Sequence, residues 1–283
     1  VNATDGVVDG EVIINVTVPV NAIGYVVVNV NGTNYTINLT AGNDRVAVKV
    51  SVAGLYNVTV TYIGDDQFLS SVNNTTFTVS KLNVPVRIDV NDTVYDNKVN
   101  ITVYVDADVG GTITIKLNGT DLGTYGIANG KVNITIDNPG AQNYTVYAVY
   151  NGNYKYNVNG TASKKFTVVR ATPAIKIDSV TVDANTSAVI TVHINDTATG
   201  TMNITVNKKN YTANINNGVA EFTIDVLPVG VYNITANYYA LTDTNYTVGS
   251  KYVEVGVTVN KVYPYPMNVT AVDVAVEANT TIV

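Results

Sequence analysis

Apolar and polar residues alternate along almost the whole chain, as in Val99-Asn100-Ile101-Thr102-Val103 and Lys131-Val132-Asn133-Ile134-Thr135-Ile136. A period of two is the signature of half-buried antiparallel strands, whereas the three-to-four spacing of helices is absent. In the central third of the chain the alternation predicts strands over Val86–Val90, Val99–Val105, Thr112–Leu117, Tyr125–Ile127, Lys131–Ile136, Tyr144–Tyr150 and Lys165–Val169. Turn-forming pairs fall between them: Asp96-Asn97, Gly110-Gly111, Asn118-Gly119, Asn129-Gly130, Pro139-Gly140 and Asn151-Gly152. Asn-Gly and Gly-Gly tolerate the positive φ of tight hairpin turns. Seven short strands at this spacing predict an immunoglobulin-like β-sandwich.

The pattern then repeats. Gly54-Leu55-Tyr56-Asn57-Val58 returns as Gln142-Asn143-Tyr144-Thr145-Val146 and as Gly230-Val231-Tyr232-Asn233-Ile234, with the tyrosines 88 residues apart each time. Gly24, Gly111 and Gly200 each open a strand-like run, and Phe77, Phe166 and Tyr252 each lie in the last run of a repeat. A domain-sized period means tandem modules. We divide the chain into residues 1–81, 82–170 and 171–260, with 261–283 as the start of a fourth repeat or a donor strand. The fold class expected is therefore all-β, with tandem seven-stranded immunoglobulin-like sandwiches stacked end to end. The tyrosine opening each sixth strand (Tyr56, Tyr144, Tyr232) is similar to the tyrosine corner of such sandwiches.

Linkers are short and carry proline at a repeated place: Lys81-Leu82-Asn83-Val84-Pro85, Arg170-Ala171-Thr172-Pro173 and Lys261-Val262-Tyr263-Pro264. Modules joined this closely are expected to form a stiff rod. Val1-Asn2-Ala3-Thr4 aligns with Val90-Asn91-Asp92-Thr93, so the first module is expected to lack most of its opening strand. The surplus strand around Asn268–Val276 matches that gap, which raises donor-strand complementation between copies beside the simpler reading of a window on a longer repeat protein.

Composition narrows the partners. The chain has 283 residues and a net charge of -6, with 16 lysines and arginines, which argues against nucleic acid as a ligand. No apolar run is long enough to span a bilayer. With no cysteine and one histidine, His193, neither a disulfide framework, a thiolate metal site nor a histidine-dependent triad is available. No catalytic residue, cofactor-binding residue or metal ligand is assigned, and the chain is expected not to be an enzyme. Calcium is considered only for the Asp5/Asp9 and Asp92/Asp96 loops, because calcium needs six to eight converging oxygens.

The strongest chemical signal is a set of 22 Asn-x-Ser/Thr sequons. The candidates for N-glycosylation are Asn15, Asn38, Asn57, Asn100, Asn118, Asn133, Asn143, Asn203, Asn233 and Asn268. In an alternating strand the asparagine and threonine of Asn-x-Thr both face solvent while the middle residue enters the core. Asparagine is disfavoured in strands, so its persistence suggests a benefit. Tyr150, Tyr154, Tyr239 and Tyr246 are candidate ligand contacts, through which the chain would stack on sugars of a host or partner cell, beside the simpler reading that such tyrosines pack against neighbouring loops; the other partner considered is a second copy of itself.

One segment carries a family resemblance. Tyr62-Ile63-Gly64-Asp65-Asp66-Gln67-Phe68-Leu69-Ser70-Ser71 resembles the Tyr-x-Gly-Asp-x-x-aromatic-x-x-Ser signature of bacterial immunoglobulin-like repeats of group 3, including those arrayed in adhesin-like surface proteins of methanogenic archaea. The second module has Tyr150-Asn151-Gly152-Asn153-Tyr154 at that place and the third has Tyr239-Ala240-Leu241-Thr242-Asp243, so the sequence assigns no role to Asp65. The resemblance implies an extracellular cell-surface stalk or adhesin without catalytic residues.

Overall fold

A computed structural model of the chain describes residues 1–39, 42–158 and 160–263. All regular elements among them are strands. The first sandwich contains β1 (Asn2–Ala3), β2 (Gly6–Val7), β3 (Glu11–Thr17), β4 (Tyr25–Val30), β5 (Thr33–Asn38), β6 (Asn43–Lys49), β7 (Gly54–Tyr62) and β8 (Ser71–Ser80). They form one sheet in the order β1-β3-β6 and a second in the order β2-β8-β7-β4-β5.

The second sandwich repeats this with β9 (Arg87–Asp89), β10 (Thr93–Val94), β11 (Val99–Tyr104), β12 (Thr112–Leu117), β13 (Thr120–Gly126), β14 (Lys131–Ile136), β15 (Asn143–Tyr150) and β16 (Thr161–Val169). The third uses β17 (Lys176–Ile177), β18 (Val180–Asp183), β19 (Ala188–His193), β20 (Thr201–Val206), β21 (Lys209–Asn214), β22 (Val219–Ile224), β23 (Gly230–Tyr238) and β24 (Gly249–Asn260). Sheet orders are β14-β11-β9 with β10-β16-β15-β12-β13, and β17-β19-β22 with β18-β24-β23-β20-β21.

Eight segments stand where seven strands were expected because the opening strand breaks and crosses between sheets. Ala3 pairs with Ile14 in the smaller sheet, and four residues on Val7 pairs with Ser80 in the larger one, parallel to it. A polar side chain fastens the crossing each time. Asp5 Oδ1 accepts from the Thr78 amide at 2.7 Å, Asp92 Oδ1 from the Thr167 amide at 2.6 Å, and Ser179 donates to the Val255 carbonyl at 2.8 Å. The opening strand of the first sandwich spans two residues, against three in β9 and two in β17. The proposed donor strand Asn268–Val276 lies outside the described residues.

The remaining strand boundaries differ from expectation for local reasons. β13 begins at Thr120 rather than Tyr125 because Asn118 and Gly119 adopt φ of 48° and 86° and form a two-residue hairpin turn. Tyr252 is not the counterpart of Phe77 and Phe166. Tyr56 stacks on Phe77 at 5.3 Å and Tyr144 on Phe166 at 5.2 Å, whereas Tyr232 lies opposite Val257, past a bulge, and Tyr252 is exposed beside Thr235.

Each sandwich closes over alternating residues of both sheets. In the first, Val12, Ile14 and Val16 of β3 face Val26, Val28, Val58 and Val60 across a core sealed by Phe77 and Val79. Burying a valine or isoleucine fully contributes roughly 1.5–3 kcal/mol. By contact density the chain forms two compact units: one holds Val1–Thr93, Asn97–Pro139 and Asn143–Thr167, the other Val94–Asp96, Gly140–Gln142 and the described residues from Val168 onward.

Candidate functional site

One construction recurs at the same end of every sandwich. A glycine opens the third strand in left-handed backbone (Gly24, Gly111 and Gly200, φ 92°, 108° and 97°), and the residue before it presents its carbonyl to a buried tyrosine of the sixth strand. The Tyr62 hydroxyl donates to the Ile23 carbonyl (3.1 Å), Tyr150 to Gly110 (2.8 Å) and Tyr238 to Thr199 (3.0 Å). An acid or its amide then ties the following loop to this pair. Asp65 accepts from the Tyr62 hydroxyl (2.6 Å) and from the amides of Ile23 (2.8 Å), Gln67 (2.7 Å) and Phe68 (2.7 Å). Asp243 accepts from the Tyr238 hydroxyl (2.7 Å) and from the amides of Thr199 (2.9 Å), Asn245 (2.7 Å) and Tyr246 (3.2 Å).

Asn153 takes the place in the second module. Its Oδ1 accepts from the amides of Lys155 and Tyr156, both at 2.8 Å, while its Nδ2 donates to the Gly110 carbonyl at 3.2 Å. Asp65 therefore has a role that the sequence did not reveal. The third module hides its counterpart by lengthening the loop by two residues, with Ala240 in left-handed backbone at φ 50°. The legible signal was an aromatic three residues on in every module: Asp65 and Phe68, Asn153 and Tyr156, Asp243 and Tyr246.

The electrostatics follow from this bonding. The Asp65 carboxyl falls to about 2, led by the Ile23 amide and then the Tyr62 hydroxyl, against an opposing push from burial. Tyr62 rises to about 12 through burial and the neighbouring Asp65. Burial also pushes the Asp243 carboxyl up, but the Thr199 amide, the Tyr238 hydroxyl and the amides of Asn245 and Tyr246 outweigh it and leave it below the usual range.

The loop so fixed grips a linker. Within the first compact unit, Leu82 donates its amide to the Lys155 carbonyl (2.9 Å) and accepts from the Asn157 amide (2.8 Å), flanking Tyr156; Lys81 Nζ reaches the Asn153 carbonyl at 2.5 Å. Within the second unit, Ala171 donates to the Asn245 carbonyl (2.9 Å) and accepts from Thr247 (2.9 Å), flanking Tyr246; Arg170 reaches the Asp243 carbonyl at 2.6 Å. The aromatic at the centre is buried in both and donates its hydroxyl to a carboxylate: Tyr156 to Asp108 (2.6 Å) and Tyr246 to Asp96 (2.5 Å).

These contacts correct two site expectations. Tyr150 and Tyr246 are fully buried, each with its hydroxyl bonded, so neither presents a face to a sugar. Tyr154 and Tyr239 are 66% and 49% exposed. The aspartates considered for calcium hold protein groups instead: Asp5 and Asp92 fasten strand crossings, Asp96 accepts from Tyr246, and Asp9 lies 3.8 Å from Lys155 Nζ. Among the described residues no three His, Cys, Asp or Glu gather as a ligand set. His193 Nε2 pairs with Asp178 at 2.8 Å, and the Asp178 carboxyl is lowered by Lys176 and then by His193.

The asparagine candidates lie on outward strand faces. Asn15, Asn38, Asn57, Asn100, Asn133, Asn143 and Asn233 are exposed in strands, Asn118 is exposed in a hairpin turn, and Asn203 is half-buried. Asn268 lies outside the described residues. Sequons also pair with sequons across antiparallel strands. Asn57 and Thr59 stand opposite Thr76 and Asn74, Asn100 and Thr102 opposite Thr135 and Asn133, and Asn203 and Thr205 opposite Thr212 and Asn210. Thr135 donates to Asn100 at 2.8 Å and Thr205 to Asn210 at 2.7 Å.

The sheet orders define tandem immunoglobulin-like β-sandwiches. Two hydroxyls complete tyrosine corners, Tyr56 to the Val52 carbonyl (2.8 Å) and Tyr232 to the Pro228 carbonyl (2.7 Å). No protein-family profile and no curated protein matches the chain. Solved structures do. The I9–I11 tandem from titin is 10% identical over 93% of this chain and 98% of its own, with a TM-score of 0.35. Sidekick-1 immunoglobulin domains 1–5 are 13% identical over 93% of this chain and 58% of theirs, at 0.38. The fibronectin(III)-like modules of Clostridium thermocellum CbhA are 13% identical over 64% of this chain and 100% of theirs, at 0.25.

Proposed function

We propose that this chain is a segment of an extracellular stalk or adhesin on an archaeal cell surface, carrying N-linked sugars on its strand faces and holding a binding function away from the cell. The observation that carries the reading is the linker grip, built twice with the same three hydrogen bonds. Within the first compact unit, a short linker bonded to the module that follows it limits hinge freedom between the first two modules, which suits a spacer rather than a catalyst. The exposed asparagines of the sequons suit a surface that meets a glycosylation machinery, and the resemblance to group 3 repeats of methanogen surface proteins points the same way. The test is antibody labelling of intact cells together with glycopeptide mass spectrometry of the native protein. Labelling of unbroken cells and sugar on Asn15, Asn57 or Asn133 are expected; a protein found only after lysis, with unmodified asparagines, overturns the reading.

A second reading, direct adhesion to glycans, is favoured by the exposed rings of Tyr154 and Tyr239. It expects Tyr154→Ala or Tyr239→Ala to abolish binding to a glycan array, and unchanged binding by both variants refutes it.

A further inference from the structure

The second module differs in chemistry from the third on the outer face of its smaller sheet. Three side chains stand directly opposite one another there: Arg87 on β9, Tyr104 on β11 and Lys131 on β14. The Arg87 guanidinium lies over the Tyr104 ring, 4.1 Å from its centroid, so the ring steadies one cation while Lys131 flanks it from the other side. The third module carries Lys176, His193 and Val219 at these positions.

Charge pairing differs as well. In the third module Asp178 takes both basic side chains of the row, Lys176 at 2.7 Å and His193 at 2.8 Å. Its counterpart in the second module, Asp89, pairs with Lys164 instead, at 3.2 Å. Among the described residues no carboxylate stands at ion-pair distance from Arg87 or Lys131. Lys131 also lines an open hollow of about 330 Å³ at the edge of β14, together with Tyr125, Asn129 and Asn133. That volume suits a single sugar ring. The Tyr125 hydroxyl donates to the Leu122 carbonyl at 2.8 Å, which fixes the orientation of its ring. The third module repeats the hollow, with Ala213 for Tyr125, Val219 for Lys131 and Glu221 for Asn133. One copy is thus aromatic and basic where the other is acidic.

We propose that Arg87, Tyr104, Lys131 and the adjoining hollow form a binding site for an acidic sugar. The anionic group lies between Arg87 and Lys131, and the sugar ring enters the hollow against Tyr125, where Asn129 and Asn133 hydrogen-bond its hydroxyls. Charge complementarity selects this ligand over a neutral sugar. A guanidinium donates two parallel hydrogen bonds to any planar or tetrahedral oxyanion, so a uronate and a sulfated sugar share the required chemistry. The site is separate from the exposed rings of Tyr154 and Tyr239, and it does not depend on where the protein resides. A sugar attached to Asn133 would fill the same hollow, so binding belongs to chains unmodified at that position.

The experiment is calorimetric titration and amide NMR of the full chain, produced without glycosylation, against trigalacturonate, galactose 6-sulfate and neutral galactotriose. Binding of at least one acidic probe that moves the Lys131 and Asn133 amides is expected, with the neutral probe about tenfold weaker or more. The acidic probe that binds more tightly names the source of the charge. Lys131→Val and Asn133→Glu install the residues that the third module carries in the same register, so unchanged melting is expected for both. Each should weaken binding roughly fivefold or more, and Tyr154→Ala and Tyr239→Ala should leave it unchanged. Failure of both acidic probes to bind, equal binding of the neutral probe, or undiminished binding by Lys131→Val and Asn133→Glu overturns the proposal. Binding lost in Tyr154→Ala yet kept in Lys131→Val overturns it in favour of the exposed rings.

Discussion

Asp243 offers the sharpest test of the staple, because the second module has already replaced its carboxylate with an amide. Replacing it with alanine removes the acceptor for the amides of Thr199, Asn245 and Tyr246 and for the Tyr238 hydroxyl. Tyr238 keeps the Thr199 carbonyl, and the loop amides turn partly to water, so not every bond is lost in full. One buried unsatisfied donor costs about 1–3 kcal/mol, and bonds to a charged acceptor contribute about 1.5–3 kcal/mol. With solvent screening discounted, we expect Asp243→Ala to cost about 3–5 kcal/mol. Asp243→Asn is different: Oδ1 can keep Asn245 and Tyr246 while Nδ2 turns to the Thr199 carbonyl, as Asn153 does with Gly110. The Thr199 amide is stranded, while its hydroxyl, bonded to the same oxygen at 3.3 Å, can rotate to another acceptor, for about 1–2 kcal/mol in all. At roughly 4–8 °C per kcal/mol for a module of this size, calorimetry should place the third module's transition about 12 °C or more lower in the alanine variant and less than half as far down in the asparagine variant. Equal shifts in the two variants, or a shift below about 2 °C in the alanine variant, would refute the staple as an energetic unit.

The Tyr62–Asp65 pair makes stability pH-dependent at both extremes. Asp65 is depressed to about 2 in the folded chain, so its contribution is complete above the unfolded carboxyl value of about 3.9 and is lost as pH falls through 2. Tyr62 is raised to about 12, so its contribution is complete below about pH 10 and is lost as pH rises through 12; tyrosinate absorbance should show a subset of tyrosines ionising only with unfolding, and a single titration with full folded structure at pH 12 would contradict this. In the third module's hairpin turn, Lys208 sits at φ 64° where Gly32 and Gly119 occupy the equivalent position, so Lys208→Gly should stabilise that module by about 0.5–1 kcal/mol in urea melts. A destabilised variant would mean that the lysine side chain contributes more than its backbone strain costs.

The sheets were legible because alternation names the buried face directly. Val12, Ile14 and Val16, or Val99, Ile101 and Val103, cannot exchange faces without exposing a whole strand. The break in the opening strand was not legible, since Asp5 and Asp92 read as turn residues and only their bonds to a distant strand show that they fasten a crossing. Tyr246 illustrates the same limit. Its sequence neighbourhood resembles that of exposed Tyr239, yet it is buried by Tyr95, Thr197 and Asp96, partners as far as 151 residues away. The staple was half legible: its tyrosines and glycines kept the repeat period, while Asp243 fell out of register behind a two-residue insertion.

The asparagines admit a cause that no single strand displays. Asn-x-Thr is self-complementary in an antiparallel ladder, because asparagine opposite threonine on one side places threonine opposite asparagine two residues on. That register occurs in all three modules. Cross-strand hydrogen-bonded pairs of this kind contribute about 0.2–1 kcal/mol, enough to retain a residue that strands otherwise disfavour. The bond from Thr135 uses the Oδ1 of Asn100 and leaves its Nδ2, the atom that would carry a sugar, unengaged by that contact. Pairing and glycosylation are therefore compatible, and sugar occupancy alone does not distinguish them as reasons for the asparagine. A double-mutant cycle does: Asn100→Ala and Thr135→Ala, made in protein produced without glycosylation, should show a coupling of about 0.2–1 kcal/mol. Asn15 supplies the control, since it stands opposite Arg45 rather than threonine. Zero coupling between Asn100 and Thr135 would leave the sugar as the reason that asparagine stands in these strands.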